Sequence, residues 1–144
     1  MISQTAEYAL RAVAALAAQP DEPMATQRMA EVTKVPAGYL SKVLQALGRA
    51  GLVQSTRGLG GGFVLTRPAA ELSVYDVVQA VDPVQRIRTC PLGLKGHGVR
   101  LCPLHKRLDD AMRMVEEAFR QSNLAEILAE PTESTPLCEF PRKG

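Results

Sequence analysis

The sequence has few of the features that mark membrane, secreted and catalytic proteins. No apolar run in its 144 residues approaches the roughly 18 that a membrane-spanning helix needs, so no membrane association is expected. The N-terminus carries Glu7 where a signal peptide has its basic region, which predicts a cytoplasmic protein. With only 3 cysteines, such a chain favours metal binding or redox chemistry over a disulfide framework. Aromatic residues make up only 4% of the chain, and no strand–helix alternation builds a cleft, so an enzyme is disfavoured.

Acidic residues are absent from Val32 to Ala70, although basic residues occur throughout that stretch. The basic residues are Lys34, Lys42, Arg49, Arg57 and Arg67. A basic segment in a chain whose net charge is only +2 is typical of a surface that faces phosphate groups. An ordinary solvated face is the alternative interpretation.

Apolar spacing predicts three helices in the first part of the chain, over residues 3–18, 26–33 and 36–50. Ser3 or Gln4 caps the first, and Gly51 ends the third. The second and third are joined by a tight turn at Lys34 and Val35, and the third is basic. This pattern favours a helix-turn-helix, with a plain three-helix core as the alternative.

A β-hairpin is predicted directly after the third helix. Its strands cover residues 52–55 and 63–66, and the segment from Arg57 to Gly62 forms a glycine-rich turn. A phosphate-binding loop of a nucleotide enzyme would join a strand to a helix, whereas this turn joins two strands. The sequence therefore predicts a mainly α, winged helix-turn-helix fold in which the hairpin is the wing.

The C-terminal part predicts a compact helix from Ser73 to Val81, a long helix from Leu104 to Gln121 and a short one from Asn123 to Ala129. The long helix carries an apolar stripe at steps of three and four residues, typical of a helix that packs on another helix. The stripe consists of Leu101, Leu104, Leu108, Ala111, Met112, Val115, Ala118 and Phe119. Pairing with the same helix of a second subunit is favoured over packing against its own domain. Four units follow: a DNA-binding domain (1–83), a loop (84–103), a dimerisation segment (104–130) and a flexible tail (131–144).

The loop from Cys90 to His105 concentrates ligand side chains. Cys90, His97, Cys102 and His105 supply two thiols and two imidazoles, a set that suits zinc or an iron–sulfur centre. A thiol pair without metal is a further alternative, and His97 is equally well explained as an exposed loop residue. Cys138 lies apart from this set and is interpreted as a tail thiol.

Several short motifs occur together in an order that resembles the IscR/NsrR-type family of winged-helix repressors. They are Glu7–Arg11 (EYALR), Gly38–Leu40 (GYL), Ala50–Val53 (AGLV), Ser55–Gly58 (STRG), Gly60–Phe63 (GGGF), Cys90 and Cys102–His105 (CPLH). The resemblance covers about residues 1–122. It implies a homodimer that binds a pseudo-palindromic operator in double-stranded DNA. It also implies an iron–sulfur cluster near the dimer helices that tunes this binding.

The resemblance also implies a ligand set. Cys90 and Cys102 match the first and third of three loop cysteines, and His105 matches a histidine ligand of one branch. Gly96 stands where the middle cysteine is expected, and Glu7 matches an acid that the partner subunit supplies in another branch. A [2Fe–2S] cluster is the expected cofactor, with zinc or no metal as alternatives.

The DNA contacts are predicted on the third helix and in the wing. The helix contributes Gly38, Tyr39, Ser41, Lys42 and Gln45, which approach the major groove, and Arg57 of the wing reaches the minor groove. Phosphate contacts are expected from Lys34, Arg49 and Arg67. Oxidation, nitrosylation or loss of the cluster is expected to change how the dimer helix meets the DNA-binding unit.

Overall fold

The computed structural model describes residues 2–94, 100–134 and 136. Its helices are α1 (Gln4–Ala18), α2 (Thr26–Thr33), α3 (Ala37–Arg49), α4 (Val74–Val81), α5 (Pro103–Gln121) and α6 (Leu124–Ala129). The strands are β1 (Val53–Thr56) and β2 (Gly62–Leu65), and a short 3-10 helix covers Ala69–Glu71. The predicted winged-helix order is confirmed. The strands lie one residue from their predicted positions, and the 3-10 helix was not predicted.

Local capping explains where several helices begin. The hydroxyl of Ser3 accepts from the amide of Ala6 at 3.1 Å and so caps α1. Ser73 and Asp76 form a reciprocal capping box at α4, each side chain bonding the other residue's amide at 3.0 Å. Lys34 ends α2 in the left-handed conformation, with φ of 59°. These contacts are local, which is why the sequence predicts the helix bounds closely.

The hydrophobic core is organised around α1. Small side chains along α1, such as Ala9 and Ala12, are fully buried and allow the other helices to approach closely. Leu40, Leu44 and Leu47 pack into this core from α3. Met29, Val77 and Leu124 enter it from α2, α4 and α6, so the last short helix returns to the same core.

The β-hairpin is fixed to the helices through the loop between α1 and α2. The backbone groups of Met24 and Phe63 exchange two hydrogen bonds, of 3.0 and 2.9 Å. Gly62 lies so close to this contact that an added Cβ would be 2.4 Å from the Met24 backbone. The wing is therefore held in a set direction relative to α1–α3.

The long helix α5 contacts its own domain along one side only. It packs against α4, and the guanidinium of Arg120 stacks on the ring of Tyr75 at 3.7 Å. No residue of α5 is fully buried, and Leu104 and Leu108 are 63% and 45% exposed. Within the described ranges, no helix is both long enough and apolar enough to cross a membrane.

Candidate nucleic-acid interface and metal-ligating loop

One face of α3 is exposed and polar. Gly38, Ser41, Lys42, Gln45 and Arg49 recur at steps of three and four residues and are all exposed. The opposite face carries the buried leucines that fix α3 in the core. The structure thus brings most of the residues predicted to contact DNA onto one accessible surface, next to the turn that precedes the helix.

Tyr39 differs from its neighbours because it is half-buried and contacts α1. Its hydroxyl lies 2.5 Å from the hydroxyl of Thr5, and its ring meets that of Tyr8 edge to face with centroids 5.1 Å apart. These contacts hold the start of α3 against α1. Thr5 was not predicted to matter, because nothing in a sequence pattern links residues 34 positions apart.

The turn between α2 and α3 is held by hydrogen bonds from two sides. The hydroxyl of Thr33 donates to the carbonyl of Met29 at 2.6 Å, and Arg11 donates to the carbonyl of Thr33 at 3.2 Å. Lys34, at this turn, is exposed. The predicted helix-turn-helix thus has a well-defined corner.

The wing presents Arg57 at its exposed end. Gly58 and Gly60 both have positive φ, of 96° and 76°, which only glycine adopts readily. Arg67, beyond the second strand, lies 3.8 Å from the carboxylate of Asp76. Arg67 therefore has an acidic neighbour among the described residues.

Two of the predicted metal ligands lie together at the start of α5. Cys102 is the N-cap residue and His105 follows three positions later, so both side chains lie at the first turn. The sulfur of Cys102 is 3.3 Å from Nδ1 of His105, and both side chains are partly accessible. A thiolate and an imidazole at this separation fit as two ligands of one zinc or iron ion.

Cys90 and Glu7, two further predicted ligands, are not assembled around this pair. Among the described residues, no group of three His, Cys, Asp or Glu side chains lies close enough together to hold a metal ion. Cys90 is a free, half-buried thiol, and Glu7 is engaged by Arg11 at 2.9 Å. His97, Gly96 and Cys138 lie outside the described residues. Within the described residues, one chain therefore brings together two of the predicted ligands, Cys102 and His105.

Arg86 connects the segment before Cys90 to α5, a connection that the sequence did not predict. Its Nε and Nη2 donate to the two carboxylate oxygens of Asp109 at 2.8 and 2.9 Å. Its Nη1 lies 3.3 Å from Glu116, and the amide of Ile87 donates to Asp109 at 2.9 Å. The Arg86 side chain is only 19% exposed.

These contacts shift the titration of the acids. Hydrogen bonds from Arg86 and from the Ile87 amide hold the pKa of Asp109 well below its usual value. The pKa of Glu116 is also lowered, first by its hydrogen bond to Arg120 and then by that to Arg86. Both acids are therefore anionic at neutral pH and pair with Arg86.

The predicted apolar stripe of α5 is divided between two directions. Met112, Val115, Ala118 and Phe119 line a cavity of about 470 Å³ that also borders Ile2, Val78 and Val84. The remaining residues, which we call the α5 seam, alternate at steps of three and four and are exposed or half-buried. The seam consists of Leu101, Leu104, Leu108 and Ala111. This spacing is that of a two-helix coiled coil.

Comparison with known proteins agrees with the winged-helix architecture. Residues 2–130 match the family model described as "Rrf2: Iron-dependent Transcriptional regulator". The HTH-type transcriptional repressor NsrR of Streptomyces coelicolor is 31% identical over 137 residues, covering 91% of this chain and 90% of that protein.

Solved structures share the fold. IscR of T. potens superposes with a TM-score of 0.75 at 21% identity, over 93% of each chain. CymR, described as the global cysteine regulator of B. subtilis, gives a TM-score of 0.73 at 21% identity, over 88% of this chain and 95% of that one.

Proposed function

Because the chain belongs to the Rrf2 family of transcription regulators, which are not enzymes, we propose that it is a homodimeric repressor whose operator binding is tuned at the Cys90–His105 loop. The exposed face of α3 carries this proposal. It presents Ser41, Lys42 and Gln45 beside an accessible wing, in a stretch without an acidic residue. A helix with this surface enters the major groove, and a wing reaches the adjacent minor groove.

The contacts divide by chemistry. Ser41, Lys42 and Gln45 carry hydrogen-bonding groups that can read base edges, while Gly38 lets the helix end approach the DNA backbone closely. Lys34 and Arg49 flank this face and meet phosphates, and Arg57 inserts into the minor groove. Tyr39 contacts Thr5 and Tyr8 of α1 and so positions α3 relative to α1. It also lies beside the DNA in this proposal.

Dimerisation follows from the α5 seam. Leu104 and Leu108 are exposed in the single chain, and burying them against the same helix of a second copy removes apolar surface from water. Two recognition helices then lie on one side of the dimer and match the two halves of a pseudo-palindromic operator.

The loop is the regulatory element in this proposal. Cys90, Cys102 and His105 would hold a [2Fe–2S] cluster, with His97 or Glu7 of the partner subunit as the fourth ligand. The cluster would supply one-electron redox chemistry and sensitivity to oxidants and nitric oxide. The contact between Cys102 and His105 supports this assignment and equally supports the zinc alternative. A metal-free thiol pair of Cys90 and Cys102 is the other alternative.

The position of the loop between α4 and α5 supports a route by which such a site would act on DNA binding. The segment from 82 onward leaves α4 in the DNA-binding unit, and Arg86 fastens it to α5, which carries the seam. A ligand that orders the loop changes the contacts between α4 and α5, and thereby the spacing of the two recognition helices. Only such a difference in contacts shifts the equilibrium between binding and non-binding states.

The DNA-binding part is tested by selection from a random double-stranded library, followed by mobility-shift measurements on the enriched duplex. We expect nanomolar binding that weakens steeply with salt, and Lys42→Ala to reduce it. Arg113→Ala, which removes an exposed charge of α5, is the matched control and leaves binding unchanged. Failure of the wild-type protein to enrich any duplex would contradict the proposal.

The cofactor is tested on protein purified without oxygen. Visible absorption with bound iron and sulfide supports the cluster, and its loss in Cys102→Ser and His105→Ala, but not in Cys138→Ser, supports the ligand set. If the protein instead binds stoichiometric zinc and has no visible absorption, the iron–sulfur assignment is wrong and the site is a zinc site. If the protein binds neither iron nor zinc, the alternative of a thiol-responsive regulator without metal is supported.

A further inference from the structure

Leu59 is the most exposed large apolar side chain in the described part of the protein. Its relative exposure is 108%, against 74% for Leu92 and less for the others. Single exposed leucines are common on protein surfaces and by themselves indicate nothing. Leu59 differs because of its place, at the outermost point of the wing and two residues from Arg57.

The turn around Leu59 is built to hold it outward. Gly58 and Gly60 on either side both lie in the left-handed region, and the amide of Gly61 donates to the carbonyl of Gly58 at 3.0 Å. An added Cβ at Gly61 would lie 2.5 Å from the carbonyl of Thr56. The turn is therefore tight, and it leaves the leucine side chain no apolar surface of its own domain to fold onto.

The wing as a whole is anchored as well as tight. Hydrogen bonds between Met24 and Phe63 fix its base, and Thr56 bonds both the amide and the carbonyl of Gly62 at 3.1 and 3.3 Å. Presentation of an apolar group on such an element costs little conformational entropy when that group is buried on binding.

We propose that Leu59 is a DNA-contacting residue, whose side chain packs on the deoxyribose surface of the minor groove beside Arg57. The inference rests on the proposed function and adds a contact that charge and hydrogen bonding do not predict. DNA is favoured over a protein partner because the surroundings from Val32 to Ala70 are basic and free of acids, which suits a polyanion. Apolar side chains are an established means of contacting minor-groove walls.

The dependence of affinity on salt concentration distinguishes the contribution of Leu59 from that of Arg57. A cation that neutralises a phosphate releases a counterion, so its removal lowers the slope of log affinity against log salt by about 1. Burial of a leucine releases no counterion. Loss of the leucine contact therefore weakens binding equally at all salt concentrations.

The experiment measures affinity for the duplex that the wild-type protein enriches from a random library, at four salt concentrations. We expect Leu59→Ser and Leu59→Ala to weaken binding by about tenfold with unchanged slope, as partial burial of a leucine implies. Leu59→Met, which keeps the apolar volume, retains binding near that of the wild type. Arg57→Ala weakens binding and lowers the slope.

Several outcomes overturn the inference. Wild-type affinity in Leu59→Ser rules out the contact, and a slope lowered as in Arg57→Ala means that Leu59 acts only by placing that arginine. Because Leu59 is fully exposed, thermal unfolding of all four variants should match the wild type, and a lower midpoint for Leu59→Ser would assign it a structural role. If the wild-type protein enriches no duplex, the proposed function itself fails, which is a distinct result.

Discussion

Arg86 holds both carboxylate oxygens of Asp109, with Nε–Oδ1 and Nη2–Oδ2 distances of 2.8 and 2.9 Å. This two-point contact joins the segment before Cys90 to the helix that carries Cys102 and His105. Both side chains are less than one-fifth exposed, so the pair is screened by water less than a surface ion pair. The segment before Cys90 is thus tied to α5 at a fixed point, by two residues that flank Cys90 and Cys102 in the sequence.

Replacing Asp109 by Asn should lower thermal stability and loosen the loop. The variant keeps the shape of the side chain but loses the charge, so Arg86 is left with Glu116 alone. Asp110→Asn is the control, because Asp110 is more exposed than Asp109 and pairs with the exposed Lys106. The check is the melting temperature by circular dichroism. Equal melting temperatures for the two variants would count against a stabilising role of the Arg86–Asp109 contact.

The same pair predicts how stability depends on pH. The pKa of Asp109 is depressed in the folded protein, so the unfolded chain takes up a proton first, at about pH 3.9. The stabilising contribution is therefore complete above that pH and is lost as the pH falls through the lower, folded-state pKa. In urea denaturation between pH 7 and pH 3, the difference between wild type and Asp109→Asn should shrink as the pH falls. A constant difference would contradict this assignment.

Gly62→Ala should destabilise the protein by about 1–3 kcal/mol, the usual cost of forcing an extra methyl group into a packed site. The added Cβ would lie 2.4 Å from the Met24 backbone, which cannot move without breaking its bonds to Phe63. Gly48→Ala is the control, since its Cβ would meet only the Val53 carbonyl at 3.9 Å. Within helix α3, that change should stabilise by up to about 1 kcal/mol. Chemical denaturation of both variants measures the contrast.

Tyr39→Phe should cost about 0.5–1.5 kcal/mol, because it removes the hydroxyl that contacts Thr5 and keeps the ring against Tyr8. A double-mutant cycle with Thr5→Val isolates the pair: the double variant should be little worse than either single one. Additive losses would show that the two hydroxyls act independently. The cycle measured on operator affinity then shows whether the same contact also positions α3 on DNA.

Local signals account for most of what the sequence predicted correctly. Ser3, Ser73 and Asn123 each bond an amide three residues later, so the starts of three helices are encoded within a few positions. The partners of Arg86 lie 23 and 30 residues away, and an arginine in a loop has no periodicity that identifies them. The α5 stripe was predicted as one surface, because spacing alone does not separate Met112 and Phe119, which face the chain's own domain, from the exposed Leu104 and Leu108.

The α5 seam gives the sharpest test of the proposed dimer. Leu108 is 45% exposed in the single chain, so Leu108→Glu should leave the fold intact, yet it would place two like charges in the paired seam. Juxtaposed like charges cost several kcal/mol, which predicts a dimer dissociation constant raised by about 100-fold or more. Sedimentation equilibrium measures this change, and Met114→Glu, at a residue that is 61% exposed and lies outside the seam, is the control. If Leu108→Glu remained dimeric at wild-type concentrations, the two copies would associate through a different surface, and the spacing of the recognition helices would have to be derived from that surface instead.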